Sequence, residues 1–395
     1  MSVTYVPAGI EYYGKTSGQL AVTYTAEEQE ETSHLGTAYK RWHLRDRTVE
    51  FLKSGSLHAP QTFETADLIV PLASPKFLQA CGVTKVLVNP IHGSTFHRSH
   101  FARHGMTVIV DSGGFQLLRG TVDFVDPADV VKRYNHQADI GMPLDLPVVQ
   151  AAEAHVFHRV SNLIRANDAY IEPRLLPGKH LALISHGTTL KLRKERLDIL
   201  GRSNAKVIAI AGLNIKPRPG VNPFTNSIEN LLYVVTRYRK TAEYFHVLGV
   251  TSTFWMFVYA ILSASKFVND IGADSVTPRV QAMSGSFITV DFQNIDLDPD
   301  RKRSPEPPCG CPVCFAVRDF RLVSEWSLLE AHNIWAYMHR VRFIEDLAKD
   351  FLAEKVTNAQ VYSSLRLSSV QNLTTATFRV CMQYLLETIQ IGRAH

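Results

Sequence analysis

The sequence has no long apolar run, and this absence excludes several classes of protein. None of its 395 residues lie in a segment approaching the roughly 18 consecutive apolar residues of a membrane-spanning helix. The N-terminal stretch MSVTYVPAGIEYYGK lacks a basic region followed by an apolar one, so no secretory signal is expected. At 45% hydrophobic residues, the chain can still build a large core. We therefore expect a soluble, cytoplasmic protein with no membrane partner.

Cysteine is also scarce, which argues against a disulfide-stabilised scaffold. The sequence holds five cysteines, and two of them, Cys81 and Cys381, stand alone in apolar surroundings typical of packing residues. The other three are crowded into the segment CGCPVC, as Cys309, Cys311 and Cys314. In a cytosolic chain such crowding indicates a metal site rather than disulfide bonds, and a redox role is the alternative.

A fourth metal ligand is expected on the helix predicted after the cysteines. The segment SEWSLLEAHNIWAYMHRVRFIEDL contains His332 and, two turns further along the same helical face, His339. A closed structural zinc site has four nitrogen or sulfur ligands in a tetrahedron. Because His332 is nearer to the three cysteines, we predict that it completes a structural zinc site with them. His339 is the alternative.

Charge of either sign is not in large excess, since the net charge is only +5. Basic residues nevertheless cluster at 191–194, 237–240, 301–303 and 340–342. Such clusters are typical of solvated helix faces and loops, and the alternative is contact with a phosphate backbone. The clusters are compatible with a nucleic-acid partner without indicating one by themselves.

Short apolar segments alternate with amphipathic stretches and predict the fold class. Their uniformly apolar character is typical of parallel strands covered on both faces. The predicted strands are 67–72, 85–89, 106–110, 138–145, 181–186, 206–211, 245–250 and 271–276. Eight such strands alternating with helices predict an α/β fold of the (β/α)8 TIM-barrel type, and a doubly wound open sheet is the alternative.

The regular pattern divides the chain into four predicted regions. Residues 1–60 precede the pattern as an N-terminal elaboration, and residues 61–300 are predicted to form the barrel. The Pro- and charge-rich segment DLDPDRKRSPEPP leads into a zinc-binding module over residues 301–350. Residues 351–395 are predicted to form a C-terminal helical segment.

Polar residues and glycines occupy the carboxyl ends of the predicted strands. Asp111, Asp145 and Asp274 end the third, fourth and eighth strands. In a barrel these ends meet on one face, where active sites lie. A helix N-cap is the alternative for each aspartate taken singly. The three together, with glycines that let a flat ligand approach the backbone, predict a binding site for a planar molecule.

Several short segments of the chain carry a family resemblance. They are VDSGGFQ, MPLDLP, HVLGVTS and GADSV near the ends of predicted strands, and PPCGCPVC with EAHNI at the cysteines. Together, over about residues 65–350, they resemble the tRNA-guanine transglycosylase superfamily. Its members are enzymes on a zinc-bearing β/α barrel that exchange guanine for a 7-deazaguanine within a polynucleotide.

The resemblance implies a double displacement at a glycosidic bond. It makes Asp274 the nucleophile that attacks C1′ of the sugar, and Asp111 the general acid/base. Asp145 is expected to accept hydrogen bonds from the Watson–Crick edge of the purine. The other expected substrate-binding residues are Ser112, Gly113, Phe115, Ser185, Gly187, Gly212, Leu213 and Gly249. Phe115 is expected to stack on the base, with a place in the core as the alternative.

Departures from the superfamily pattern favour DNA over tRNA as the polynucleotide. Ser185-His186-Gly187 stands where the family has Gln-Gly-Gly, and Ala211-Gly212 stands where it has Gly-Gly. The residues after 350 are expected to be packed helix rather than the RNA-binding domains of archaeal relatives. These features fit 7-deazaguanine DNA transglycosylases, which place a base such as 7-cyano-7-deazaguanine into DNA and need the target nucleotide flipped out.

Two alternatives to this function follow from the same residues. One is a transglycosylase that acts on tRNA. The other is a non-catalytic, zinc-bearing nucleic-acid-binding subunit, against which the presence of both Asp111 and Asp274 argues. A partner protein that opens the strands for base flipping is a further expectation.

Overall fold

A computed structural model describes residues 3–7, 78–79, 81–88, 98–112, 125–145, 154–187, 189–213, 220–275, 277–296, 311 and 326–394. These residues form an α/β fold in which parallel strands alternate with helices. Among the helices described here, none combines the length and the apolar character that crossing a membrane requires.

Parallel strands make up the two main sheets of the fold. The strands are β1 (Val3–Pro7), β2 (Lys85–Val88), β3 (Thr107–Val110), β4 (Ile140–Gly141), β5 (His180–Leu181), β6 (Leu183–Ser185), β7 (Val207–Ile210), β8 (Tyr244–Val247) and β9 (Ile271–Ser275). One sheet has the order β2-β3-β4-β5 and the other β1-β9-β8-β7-β6, and every pairing is parallel. A short antiparallel hairpin, β10 (Ser286–Ile288) and β11 (Asn294–Asp296), follows them.

The two sheets are joined by the chain itself. Only Ala182 separates β5 from β6, and its N–H donates to the carbonyl of Gly141 at 2.9 Å. At the other end of the strand order, β1 contacts β2. The predicted α/β class with parallel strands is confirmed, whereas closure into a TIM barrel stays a prediction.

Seven of the eight predicted strands are present, most of them with shorter bounds than predicted. The segment 67–72 lies outside the described residues. Strand β1 was not predicted, because it belongs to the region expected to precede the barrel. It pairs in parallel with β9, and the register sets Val6 beside Asp274.

Helices follow the strands and continue to the C-terminal end of the described chain. They are α1 (Arg98–Ala102), α2 (Pro127–Gln137), α3 (Ala154–Ile171), α4 (Leu190–Leu200), α5 (Pro223–Tyr238), α6 (Thr253–Ala264), α7 (Thr277–Met283), α8 (Trp326–Leu352), α9 (Asn358–Ser364) and α10 (Thr375–Ala394), with 3-10 turns at Glu172–Arg174 and Leu367–Ser369. Local sequence sets several of their ends. Asn222 accepts hydrogen bonds from the first N–H groups of α5, ahead of Pro223. Gly201 ends α4 at a φ of 66°.

The core lies between the sheets and the helices that cover them. Strands β7 and β8 are buried at every residue, which fits parallel strands covered on both faces. Helix α6 is buried from Phe254 to Ser263, because α8 covers it and it also contacts β1 and β9. Helix α10 packs on α5. These contacts hold the carboxyl ends of the strands on a rigid frame.

Candidate functional site

Two of the three aspartates predicted to form the site lie at the carboxyl ends of parallel strands, and the third lies in the segment that follows such a strand. Asp111 directly follows β3 and is half-buried, and its N–H donates to the carbonyl of Val88 at 2.9 Å. Asp145 is buried four residues beyond β4, and Asp274 is buried within β9. The strands run in one direction, so these side chains belong to the same edge of the sheets.

Asp274 has hydrogen-bond partners on the neighbouring strand β8 and on the turn after it. Its Oδ1 lies 2.9 Å from His246 Nε2 and accepts the N–H of Gly249 at 3.1 Å. On the far side of the imidazole, His246 Nδ1 lies 2.8 Å from the hydroxyl of Tyr244. Burial, followed by the charges of Asp270 and Asp274, raises the pKa of Tyr244 well above its ordinary value, so this hydroxyl keeps its proton.

Three of the predicted glycines lie among the described residues, where either a positive φ or a close backbone contact sets them apart. Gly249 has a φ of 67° and turns its N–H towards Asp274. Gly187 is required because of limited space: a Cβ at this position would lie 2.7 Å from the backbone nitrogen of Arg193. The glycine therefore lets α4 approach the end of β6. Gly212 also has a positive φ, of 76°.

Arg193 of α4 is fully buried, and its N–H groups donate four hydrogen bonds at or just beyond the ends of β6 and β7 and one to helix α5. Its Nη1 donates to the carbonyl and hydroxyl oxygens of Ser185, at 2.7 and 3.0 Å. Its Nη2 donates to the carbonyls of Gly187 and Ala211, and its Nε donates to Asn230. Burial and the neighbouring Arg196 lower the pKa of Arg193 to about 9, so the guanidinium stays charged at neutral pH.

Asp145 forms a buried ion pair with Arg196, one helical turn after Arg193. The distance from Arg196 Nη1 to Asp145 Oδ1 is 3.2 Å, and the guanidinium lies over the ring of Phe157. Arg196 Nη2 is buried without a hydrogen-bond partner in the part of the chain that the structure describes. The ion pair holds the carboxylate as an anion at the carboxyl end of β4.

His186 is a buried histidine beside these two arginines. It is 2% exposed, and its Nδ1 has no hydrogen-bond partner among the described residues. Burial, then the charges of Arg196 and Arg193, lowers its pKa well below the ordinary value. The imidazole is therefore neutral at neutral pH and leaves one ring nitrogen to bind a polar group.

This neutral histidine predicts a loss of stability in mild acid. The unfolded chain protonates His186 near its ordinary pKa of about 6.5, whereas the folded protein does not. Below that pH the unfolded state binds more protons, so the free energy of unfolding falls as pH falls. This residue contributes a slope of at most about 1.4 kcal/mol per pH unit.

Urea unfolding of wild type and His186→Gln near pH 7 and near pH 5.5 measures this contribution. We expect the variant to lose less stability than the wild type between the two conditions. His158→Gln is the matched control, because His158 lies on the surface and pairs with Glu195. An equal loss in wild type and His186→Gln would contradict the prediction.

Two other predicted substrate-binding residues, Ser185 and Leu213, make contacts that support the fold. Ser185 is fully buried, and its hydroxyl accepts a hydrogen bond from Arg193 Nη1. Leu213 is buried, and its carbonyl accepts the hydroxyl of Ser227 at 2.7 Å. Ser112 is buried directly after Asp111. Gly113 and Phe115 lie outside the described residues.

Two of the four predicted zinc ligands are described, and they contact each other. Cys311 Sγ lies 3.2 Å from His332 Nδ1, and both residues are fully buried. The opposite ring nitrogen of His332 donates to the carbonyl of Ile288 at 2.7 Å, and Phe287 stacks on the ring. A tetrahedral zinc would hold such sulfur and nitrogen atoms about 3.5 Å apart.

The arrangement of Cys311 and His332 fits a zinc site, since a ligating histidine is usually oriented by a hydrogen bond from its second nitrogen. His339 packs against Trp335 instead, with ring centroids 3.8 Å apart. Cys309 and Cys314 lie outside the described residues. The residues that the structure describes contain no group of three metal ligands, so zinc stays a prediction.

Among the described residues, the arginines of the basic clusters donate hydrogen bonds to other groups of the protein. Arg193 and Arg340 are buried, and Arg340 donates to the carbonyl of Thr289. Arg237 pairs with Asp198 on the surface. Residues 301–303 lie outside the described chain. Burial therefore removes two of these arginines from contact with a phosphate backbone, while Lys191 and Lys194 are exposed.

No model of a protein family matches this chain, and no curated protein matches its sequence. The resemblance to the transglycosylase superfamily therefore depends on the sequence motifs alone.

Sequence reasoning missed four residues of this site: Tyr244, His246, Arg193 and Arg196. Tyr244 and His246 alternate on one strand, which was a signal that they share a face. The contact of His246 with Asp274 requires the register of β8 against β9, which no local pattern shows. Arg193 and Arg196 lie in the segment LKLRKERLDIL, whose composition is typical of an exposed helix.

Proposed function

We propose that this protein is a transglycosylase that replaces guanine in a polynucleotide, DNA in preference to tRNA, with a 7-deazaguanine such as 7-cyano-7-deazaguanine. The reaction proceeds by double displacement through a covalent glycosyl-aspartate. The observation that carries the proposal is Asp274, a buried carboxylate at the carboxyl end of β9 whose Oδ1 has two hydrogen-bond partners. A second carboxylate, Asp111, ends β3 at the same edge.

In the first displacement, Asp274 attacks C1′ of the flipped nucleotide. The bond from the carboxylate oxygen to C1′ forms while the bond from C1′ to N9 breaks. Guanine leaves with that electron pair and takes a proton from Asp111. A strand-end position keeps both carboxylates rigid, as covalent catalysis requires.

In the second displacement, the incoming 7-deazaguanine attacks C1′ of the glycosyl-aspartate. Asp111, now ionised, removes the proton from the attacking ring nitrogen, and the bond from C1′ to Asp274 breaks. The carboxylate and the protonated acid are thereby restored, so the exchange needs no oxidant or other co-reactant.

Asp145 binds the purine by its Watson–Crick edge, where guanine and 7-deazaguanines present adjacent N–H donors. The ion pair with Arg196 supports this role, because it holds the acceptor as an anion. The neutral ring nitrogen of His186 supplies another polar contact at the same edge of the sheets.

Two features of the fold support the proposed enzyme without taking part in the chemistry. Pairing of β1 with β2 closes the strands into a barrel, which has eight strands when β5 and β6 are counted as one. The contact of β1 with β2 and the direct passage from β5 to β6 support this proposal. Cys309, Cys311, Cys314 and His332 hold a structural zinc, supported by the contact of Cys311 with His332.

An incorporation assay tests the proposed function. Purified protein is incubated at one low salt concentration with labelled 7-cyano-7-deazaguanine and either duplex DNA, single-stranded DNA or unmodified tRNA. We expect incorporation into DNA. Single-stranded DNA is included because it supplies an unpaired base without a strand-opening partner. Incorporation into tRNA alone would overturn the choice of DNA, and incorporation into none of the three would overturn the transglycosylase.

Adenine is expected to compete at least about 100-fold more weakly than guanine for the base site. Adenine carries a lone pair at N1 and has no 2-amino group, so it sets a lone pair against the buried anion of Asp145. Inhibition constants for the two purines in the same exchange assay measure the ratio. Equal inhibition by adenine and guanine would contradict the role of Asp145.

A further inference from the structure

Tyr244, His246 and Asp274 form a continuous hydrogen-bonded row across two strands. Tyr244 and His246 alternate on β8 and therefore share a face of the sheet. The register pairs His246 with Gly272, two residues before Asp274. Because Gly272 has no side chain, the imidazole reaches across β9, and its Nε2 lies 2.9 Å from Asp274 Oδ1.

The direction of these hydrogen bonds follows from the donors and acceptors that each group can offer. In the part of the chain that the structure describes, the acceptor within reach of the buried Tyr244 hydroxyl is His246 Nδ1, at 2.8 Å. The hydroxyl therefore donates to Nδ1, which leaves the ring proton on Nε2. Nε2 then donates to Asp274 Oδ1, which also accepts the N–H of Gly249 at 3.1 Å.

We propose that Tyr244 and His246 are positioning residues for the nucleophile: Tyr244 selects the imidazole tautomer that donates to Asp274, and this bond sets the rotamer of the carboxylate. Oδ1 is held by two donors, so Oδ2 is the oxygen that attacks C1′. The inference rests on the proposed function, since it assigns the two residues to that reaction. Neither side chain touches the substrate, and each acts through Asp274.

Kinetics of three variants test this assignment. Tyr244→Phe is expected to lower kcat about 10-fold and His246→Phe about 100-fold, with KM for both substrates unchanged, because misplacement of the nucleophile affects the chemical step alone. His246→Gln is expected to recover part of that loss, since its side-chain amide donates an N–H towards Asp274. The matched control is Tyr362→Phe, which removes a hydroxyl bound to the carbonyl of Leu373 in the C-terminal helices.

Nitrogen NMR of histidine-labelled protein tests the geometry independently of activity. The His246 signals, assigned by their absence in His246→Gln, are expected to show the tautomer protonated at Nε2, and Tyr244→Phe is expected to shift Nδ1. A ring protonated at Nδ1 in the wild type would overturn the inference.

The outcomes separate the inference from the function on which it rests. Wild-type exchange with unchanged kcat in Tyr244→Phe and His246→Phe would overturn the positioning role and leave the transglycosylase intact. Absence of exchange by the wild type overturns the proposed function, and with it this role, whatever the NMR shows.

Discussion

Asp274→Asn is expected to lower the rate of base exchange by at least about 10,000-fold, because an amide cannot form the glycosyl-enzyme ester. The fold is expected to survive. Asparagine has the shape of aspartate, and its carbonyl oxygen still accepts from Gly249 N–H and His246 Nε2, so the unfolding free energy stays within about 1 kcal/mol of wild type. The exchange rate and a urea unfolding curve measure the two quantities.

The matched control for this variant is Asp270→Asn, the same substitution directly before β9. Asp270 pairs with Lys85 at 2.6 Å, at the opposite end of the strand from the proposed chemistry. Its loss is expected to reduce stability without reducing the rate. A variant Asp274→Asn that kept a tenth of the wild-type rate would show that the nucleophile is another residue.

The acid/base role of Asp111 predicts that its substitution also lowers the rate of base exchange. Asp111→Asn removes the group that protonates the leaving guanine, so exchange is severely impaired. If trapped glycosyl-enzyme still forms with an activated leaving group, the defect lies in proton transfer and not in Asp274.

Cys311→Ala is expected to reduce zinc from one ion per chain to almost none and to unfold the surrounding segment. A structural zinc site supplies roughly 10 kcal/mol of apparent binding free energy, so loss of one ligand is expected to cost several kcal/mol. The affected residues are the hairpin 286–296 and the start of α8, which the contacts of His332 with Cys311 and Ile288 join. Metal analysis and hydrogen exchange measure the effect.

Cys381→Ala is the control for Cys311→Ala. Cys381 is a free, buried cysteine on α10, and burial raises its pKa to about 12, so it is an inert packing thiol. Its loss leaves a small cavity and is expected to leave zinc content unchanged. Soluble, active wild-type protein without zinc would refute the metal site.

Much of the fold is readable from local sequence, because its signals involve neighbouring residues. Apolar, β-branched runs such as those of β3 and β7 predict buried parallel strands. Asparagine followed by proline at Asn222 and Pro223 marks the start of α5. The strand-end positions of Asp111 and Asp274 follow from the same alternation, so the edge that carries them was predictable before any contact was known.

Other parts of the site depend on partners distant in the chain. The position of strand β1 in the sheet is set by its pairing with β9. The two strands lie at opposite ends of the predicted barrel sequence, so no local pattern indicates that they pair. Arg193 is buried in a helix whose composition indicates exposure, because carbonyls at Ser185, Gly187 and Ala211 satisfy its donors. A buried charge is tolerated only when such partners are present, and no local pattern reports them.

The sequence by itself determined the residue types of the proposed chemistry: three aspartates at strand ends and a crowded set of cysteines before a histidine. These signals depend on spacing along the chain, which is independent of tertiary contacts. Only the tertiary structure decided which groups surround Asp274. His246 reaches Asp274 because the register of β8 on β9 pairs His246 with Gly272, which has no side chain to block the imidazole. A hydrogen bond between residues 28 positions apart forms only once the sheet has formed.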